Sequence, residues 1–201
     1  MRTSIKYVLA FFALVAILGL SLTLIDGAEA RTCVWDGGDA ASALASDPDN
    51  WDTDTAPIAG DDILFDGLNA SADDPCTWDL ATNSFGNFTI AAEYSGTITQ
   101  SSDMYISGYS QAGGTFTGDV TKWVYCDGSV LKSAGTFTIY KTRFNLLGTG
   151  TFSSIHPHSL IVNGIYSFIT DGITIQGGPL TITENSILTI KVKVINIRRL
   201  I

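Results

Sequence analysis

The chain has 201 residues, a formal net charge of −9 and only 15% charged residues. That length suits one domain, or a cap with part of a larger one. Base-poor acidity excludes a nucleic-acid partner, whose phosphates would be repelled. The acidity is concentrated, since residues 31–80 hold twelve Asp, no Glu and one base. Its plain reading is a solvated surface.

Residues 1–30 have the layout of a secretory signal peptide. Arg2 and Lys6 precede an unbroken apolar run from Tyr7 to Ile25, and Ala28 and Ala30 form a small-x-small site. Cleavage after Ala30 is expected. The run approaches the roughly 20 residues that span a bilayer, so an uncleaved anchor is the alternative. Membrane contact is then expected only through this segment. In either case the chain from Arg31 onward is exported, to a secreted or cell-surface location.

Residues 31–83 read as a turn-rich acidic cap with a few short strands. Asp39 to Ser46 has room for at most two helical turns. Cys-x-Trp-Asp occurs twice in this segment, with Cys33 and Cys76 lying 43 positions apart. If the two cysteines begin neighbouring strands, a disulfide between them clamps a segment with little apolar content. On the chain-entropy model it contributes about 4 kcal/mol. Cys126 is then the leftover thiol, and Cys76–Cys126 is the rival pair. No Cys-x-x-Cys spacing suggests a redox or zinc site.

The run "DPDNWDTDTAPIAGDD" is the one candidate cation site. Counted from Asn50, it puts Asn50, Asp52, Asp54 and Asp61 at positions 1, 3, 5 and 12 of a calcium loop. Thr55 stands where the glycine turn belongs, and Asp61 replaces the bidentate Glu. A turn-rich surface loop is the competing reading. No other cofactor is implied. Two triplets, Asn69-Ala70-Ser71 and Asn87-Phe88-Thr89, are glycosylation candidates in an exported chain.

From Ser84 charge falls, and glycine punctuates short runs of strand formers. "GTIT" starts at Gly96, "GTFT" at Gly114 and Gly135, "GTFS" at Gly150, and a looser "GITI" at Gly172. These starts are 18, 21, 15 and 22 residues apart. Such a period means one small unit stacked on itself. Each unit is too short for a βαβ crossover, and no helical period intervenes. Residues 84–201 are therefore read as an all-β parallel right-handed β-helix, a β-solenoid. An antiparallel β-sandwich is the rival architecture. Alternation along a strand points Phe137 and Ile139 inward and Thr136 and Thr138 outward. Ile98, Phe116 and Phe152 are assigned the equivalent inward place. The strand-like text continues to Ile201 without a capping signal, so truncation or docking on another subunit is expected there.

Chemistry is sparse in the coils. Asp103, Asp119, Asp127 and Asp171, with Lys122, Lys132, Lys141 and Arg143, recur at no common phase of the repeat. Glycoside hydrolysis needs two carboxylates across a cleft, and spacing pairs none. No catalytic residue is assigned, and the chain is read as non-enzymatic. His156 and His158 are two imidazoles without a third ligand, and a surface turn is the plain reading. Tyr105, Tyr109, Trp123 and Tyr125 are candidates for stacking on sugars.

The order Trp35, Gly37-Gly38, Asn50-Trp51, Pro57 and Gly60-Asp61-Asp62-Ile63-Leu64-Phe65, followed by Gly-Thr-rich strands, carries a resemblance. It is similar to the N-terminal entry of large prokaryotic surface proteins with autotransporter-associated β-strand repeats, over about residues 33–150. The resemblance implies a parallel β-helix displayed at the cell surface for structure or attachment. It brings no catalytic residues. Surface glycans or other surface proteins are the implied partners. A polysaccharide-binding or polysaccharide-degrading β-helix is the alternative function.

Overall fold

The computed structural model describes residues 30–197, apart from 39–40, 70, 82–83, 139–142, 154, 156, 169–172, 176–178 and 191–194. The signal segment, Ile139, Lys141, His156, Asp171, Gly172 and Ile201 lie outside the described residues.

Every ladder between named strands is parallel. The chain is a β-solenoid, and the antiparallel sandwich is not what forms. Parallel neighbours need a long return path. Here each return is made along the other walls of the coil. The first coils are built from β1 (Thr32–Val34), β2 (Asp62–Phe65) and β3 (Cys76–Trp78). Then come β4 (Ser84–Ile90) with β5 (Thr97–Gln100), and β6 (Met104–Gln111) with β7 (Thr115–Thr117). Strands of the acidic segment join the same sheets as the later repeats. Ile63 is in register with Phe88, and Cys76 with Ile98. Among the described residues of the segment the one helical turn is Pro48–Asn50, where the Asp47 side chain accepts from the Asp49 amide.

Among the described residues the main sheet has twelve strands. Long strand β6 pairs through its first half with β8 (Trp123–Cys126) and through its second half with β9 (Val130–Lys132). One strand thus becomes two in the next coil, parted at Asp127-Gly128-Ser129. The split repeats in β11 (Arg143–Leu146) and β12 (Thr149–Phe152), and again in β13 (Ser159–Val162) and β14 (Ile165–Phe168). Backbones crowd at this crease. A Cβ at Gly128 would strike the Ser107 carbonyl, and one at Gly148 the Asp127 carbonyl.

The second sheet runs β3, β5, β7 and β10 (Thr136–Phe137). It carries the Gly-Thr-aromatic repeat in register, with Ile98 beside Phe116 and Phe116 beside Phe137. All three side chains are buried, and the Phe116 and Phe137 rings stack at 5.2 Å. Each such side chain stabilises by roughly 1.5–3 kcal/mol. Gly114 and Gly135 open their units at φ 51° and 72°, the left-handed corner that glycine adopts without strain.

Phe152 departs from the expected phase. It is buried, but it sits on β12 of the main sheet, in register with Val130 and Phe168. The "GTFS" copy therefore lies on a different wall from the two "GTFT" copies. The register partner of Phe152 one coil earlier is Val130 rather than Phe137, so the step from Gly135 to Gly150 crosses from one wall to another instead of completing a coil. The motif recurs in sequence while its phase in the coil slips.

The two Cys-x-Trp-Asp copies are strand ends of one kind. Cys33, Trp35, Cys76 and Trp78 are all buried, as an i, i+2 spacing demands of one strand face. Each Asp then holds a backbone amide of the acidic segment. Asp36 accepts from the Gly38 amide at 3.1 Å, and Asp79 from the Ser46 amide at 2.9 Å. The expected Cys33–Cys76 disulfide is not formed, and neither is its rival with Cys126. All three thiols are free and buried. Cys33 lies on β1 of the main sheet and Cys76 on β3 of the second, so they do not begin neighbouring strands. An aromatic cluster fills the space beneath. Trp35 and Trp51 meet edge to face at 5.3 Å, and Phe65 packs on both.

Candidate functional site

Strand alternation puts Tyr105, Trp123, Tyr125 and Arg143 on the outer face of the main sheet. Tyr105 is in register with Tyr125, and their rings stack at 4.4 Å and 4°. Trp123 precedes Tyr125 by two residues, with ring centroids 6.4 Å apart. Arg143 on the next strand is in register with Trp123 and sets its guanidinium carbon 3.8 Å from the indole centroid. A cation over an aromatic face contributes about 0.5–2 kcal/mol. The Asp103 carboxylate accepts from the Trp123 amide at 2.8 Å. Burial raises the Tyr125 phenol above its usual value, and neighbouring Tyr105 and Asp103 add to this while Arg143 opposes it. The result is a fixed aromatic ladder, half open to solvent.

Tyr109 does not belong to it. Its ring is 3% exposed and stacks on Phe88 at 5.9 Å. Its hydroxyl donates to Gln111 Oε1 at 3.0 Å, and Gln111 Nε2 donates to the Gly113 and Thr136 carbonyls. The physical reason is the crease. Counting by twos from Tyr105 puts Tyr109 outside, but Gly108 and Tyr109 are both buried and the alternation changes phase there.

The crease forms an open groove of about 680 Å³. Its lining comes from β1, β2, β4, β6, β9 and β12, so it crosses the strands. Asp62, Asn87, Thr89, Ser107, Ser110 and Ser129 supply polar groups. Asp62 Oδ1 accepts from the Asn87 amide nitrogen at 2.6 Å and from Asn87 Nδ2 at 3.3 Å. The sequon residue Asn87 is exposed inside the groove, with Thr89 on the same strand face. Asn69, the other sequon asparagine, is exposed at a turn closed by the Ala72 amide. The groove was not read from the sequence. Its available signal is the recurrence of glycine at Gly108 and Gly128 beside Ser107 and Ser129.

The four calcium-loop candidates have separate duties. Asp61 is 1% exposed, and its carboxylate takes Arg31 Nε at 3.0 Å, the Ile58 amide at 2.9 Å and the Cys33 thiol at 3.3 Å. Burial pushes this carboxyl up, but those donors outweigh it and hold it below the usual range. Asn50 is buried and donates to the Ser42 and Leu44 carbonyls. Asp52 is exposed and accepts from the Val34 amide, while Asp54 is exposed at φ 47°. Among the described residues no group of three or more His, Cys, Asp or Glu could hold a metal ion.

The thiols are chemically quiet. Burial, with the Asp61 carboxylate as hydrogen-bond partner, pushes Cys33 up to about 12. Burial raises Cys126 to about 11 and Cys76 well above its usual value. Asp103 and Asp119 accept from backbone amides, at Trp123 and Thr121. His158 Nδ1 lies 2.9 Å from Ser159 Oγ.

Comparison with protein-family models, with curated proteins and with solved structures finds no match for the chain. The fold defines its class by itself. It is a parallel β-solenoid protein whose main sheet displays an aromatic ladder beside a polar groove.

Proposed function

We propose that the chain is an exported, cell-surface β-solenoid that serves as an adhesive element and binds carbohydrate through the outer face of its main sheet. The observation that carries this reading is the stacked Tyr105–Tyr125 pair with Trp123, held beside a hydroxyl-lined groove on a rigid parallel sheet. Stacking occupies one face of each tyrosine ring and Arg143 one face of Trp123, so the sugar contact is to the remaining ring surface together with hydroxyl and carboxamide partners. Preformed strands hold these groups without an ordering cost on binding. The signal-like residues 1–30 and the entry pattern that resembles prokaryotic surface β-helix proteins support export and display.

A glycan array combined with a reducing-sugar assay tests the proposal. Binding without release of sugar ends supports it. Turnover overturns the non-catalytic role, and absence of both glycan and cell-surface retention overturns adhesion. Fractionation of the source cells tests location, since a cytoplasmic pool alone overturns export.

A further inference from the structure

We propose that the crease groove takes a neutral, polyhydroxylated chain, a linear neutral polysaccharide lying along the solenoid axis, and that Gly108 keeps the groove open for it. This rests on the carbohydrate-binding reading above and adds the ligand class, its direction and the residue that admits it.

Shape sets the direction. The lining comes from six successive strands of the main sheet. At about 4.8 Å between strands, the trough is roughly 24 Å long. A ligand filling it is extended and crosses the strands. Tyr105 lies two residues before Ser107 on the same strand face, about 6.6 Å along β6. The Tyr105–Tyr125 ladder therefore borders the trough on one side.

Chemistry sets the class. Among the described residues of the lining, Asp62 is the sole charged side chain. The rest are Ser, Thr and Tyr hydroxyl residues, the Asn87 carboxamide, glycine backbone and the aliphatic residues Ile63, Leu64 and Leu131, a mixture that suits the polar and apolar faces of a neutral sugar. An anionic chain finds no counter-charge there and meets a carboxylate on a protein of net charge −9. Neutral hydroxyls find both donors and acceptors. The Asn87 carboxamide is already oriented by Asp62 Oδ1, so one polar partner is fixed before the ligand arrives.

Gly108 explains the opening. It lies at the bottom of the crease, and its backbone is not left-handed, so torsion does not require glycine there. A Cβ at this position meets Asn87 Oδ1 at 2.8 Å, the far end of a side chain, and the Ser129 carbonyl only at 3.7 Å. A side chain is therefore tolerated by the backbone and would fill the space over the crease.

The test uses the full chain produced without N-glycosylation, so that Asn87 is bare. Isothermal titration is run with a soluble neutral glucan, a soluble mannan and polygalacturonate. The expected result is binding of at least one neutral polymer, weakened by roughly tenfold or more in Gly108→Val. Thr99→Ala on the second sheet is expected to bind as the wild type does. Should Gly108→Val fail to fold, amide NMR shifts of the wild-type protein on titration decide the matter. They are expected at Ser107, Gly108 and Ser129 and not at Thr97 or Thr99. Preference for polygalacturonate, full affinity in Gly108→Val, or shifts away from the crease overturns the inference. If Gly108→Val binds glycans fully, the adhesive reading survives and only the groove assignment falls. If none of the three polymers binds, the groove assignment falls, and the adhesive reading falls with it only where cell-surface retention is absent as well.

Discussion

Tyr105 and Tyr125 occupy one register position on adjacent strands, and their rings stack within 4° of parallel. The parallel ladder imposes this relationship, because equivalent residues of successive coils stand directly above one another. Trp123 and Arg143 are related in the same way. Tyr125→Ala is expected to weaken glycan binding and to cost about 0.5–1 kcal/mol of stability through the lost pair. A double-mutant cycle with Tyr105→Ala checks this, and additive effects would show that the stacked pair contributes nothing by itself.

Asp61 ties the start of the first strand to the loop before β2. Asp61→Ala leaves the Arg31 guanidinium, the Ile58 amide and the Cys33 thiol without their acceptor. The expected cost is about 2–3 kcal/mol, measured by urea unfolding at neutral pH. The folded carboxyl titrates below its unfolded value of about 3.9. Its contribution is therefore present above that pH and is lost as pH falls through the lower folded value. Asp61→Asn should flatten this acid limb of the stability profile. An unchanged acid limb would remove Asp61 from the account.

The three cysteines should behave as free thiols in non-reducing mass mapping. Alkylation is expected only after unfolding, since burial keeps each thiol neutral and inaccessible. Their folded values are raised above an unfolded value of about 8.5. The stability they contribute is thus complete below that pH. It is lost as pH rises through about 11 for Cys126 and about 12 for Cys33. A Cys33–Cys76 linkage in the mapped protein would contradict the structure.

Gly135→Ala and Gly108→Ala should differ sharply. Gly135 stands at φ 72°, and a Cβ there would strike the Gly113 carbonyl. The expected cost is about 2 kcal/mol or more. Gly108 has neither constraint of torsion nor backbone contact at that range, and its change should cost much less. Thermal unfolding of the two variants decides between them.

Much of the architecture was readable because it is periodic. Gly-Thr-hydrophobic-Thr at Gly96, Gly114 and Gly135 states a strand, its inward residue and its corner in four letters. Backbone alternation turned that text correctly into the Ile98–Phe116–Phe137 ladder. Tyr105, Trp123 and Tyr125, named from the sequence as aromatics that could stack on sugars, stand on the outer face of the main sheet. Sequence reasoning failed where the coil is not uniform. Phe152 repeats the motif on another wall, and Tyr109 lies inside because the phase of β6 changes at Gly108. Neither event alters the local pattern that a reader of sequence sees.

The sequence by itself determined that this chain is built of β-strands, favoured a parallel solenoid over an antiparallel sandwich and marked the apolar face of the Gly-Thr-hydrophobic-Thr strands. These follow from side-chain alternation and glycine spacing, which act between near neighbours. Only the tertiary structure decided that Cys33 and Cys76 belong to different sheets, that Asp61 is used up by Arg31, Ile58 and Cys33, and that a crease opens beside the tyrosines. Those outcomes depend on how many residues each coil spends on each wall. That count sets which residues of distant coils meet, and it is settled by packing across the whole cross-section.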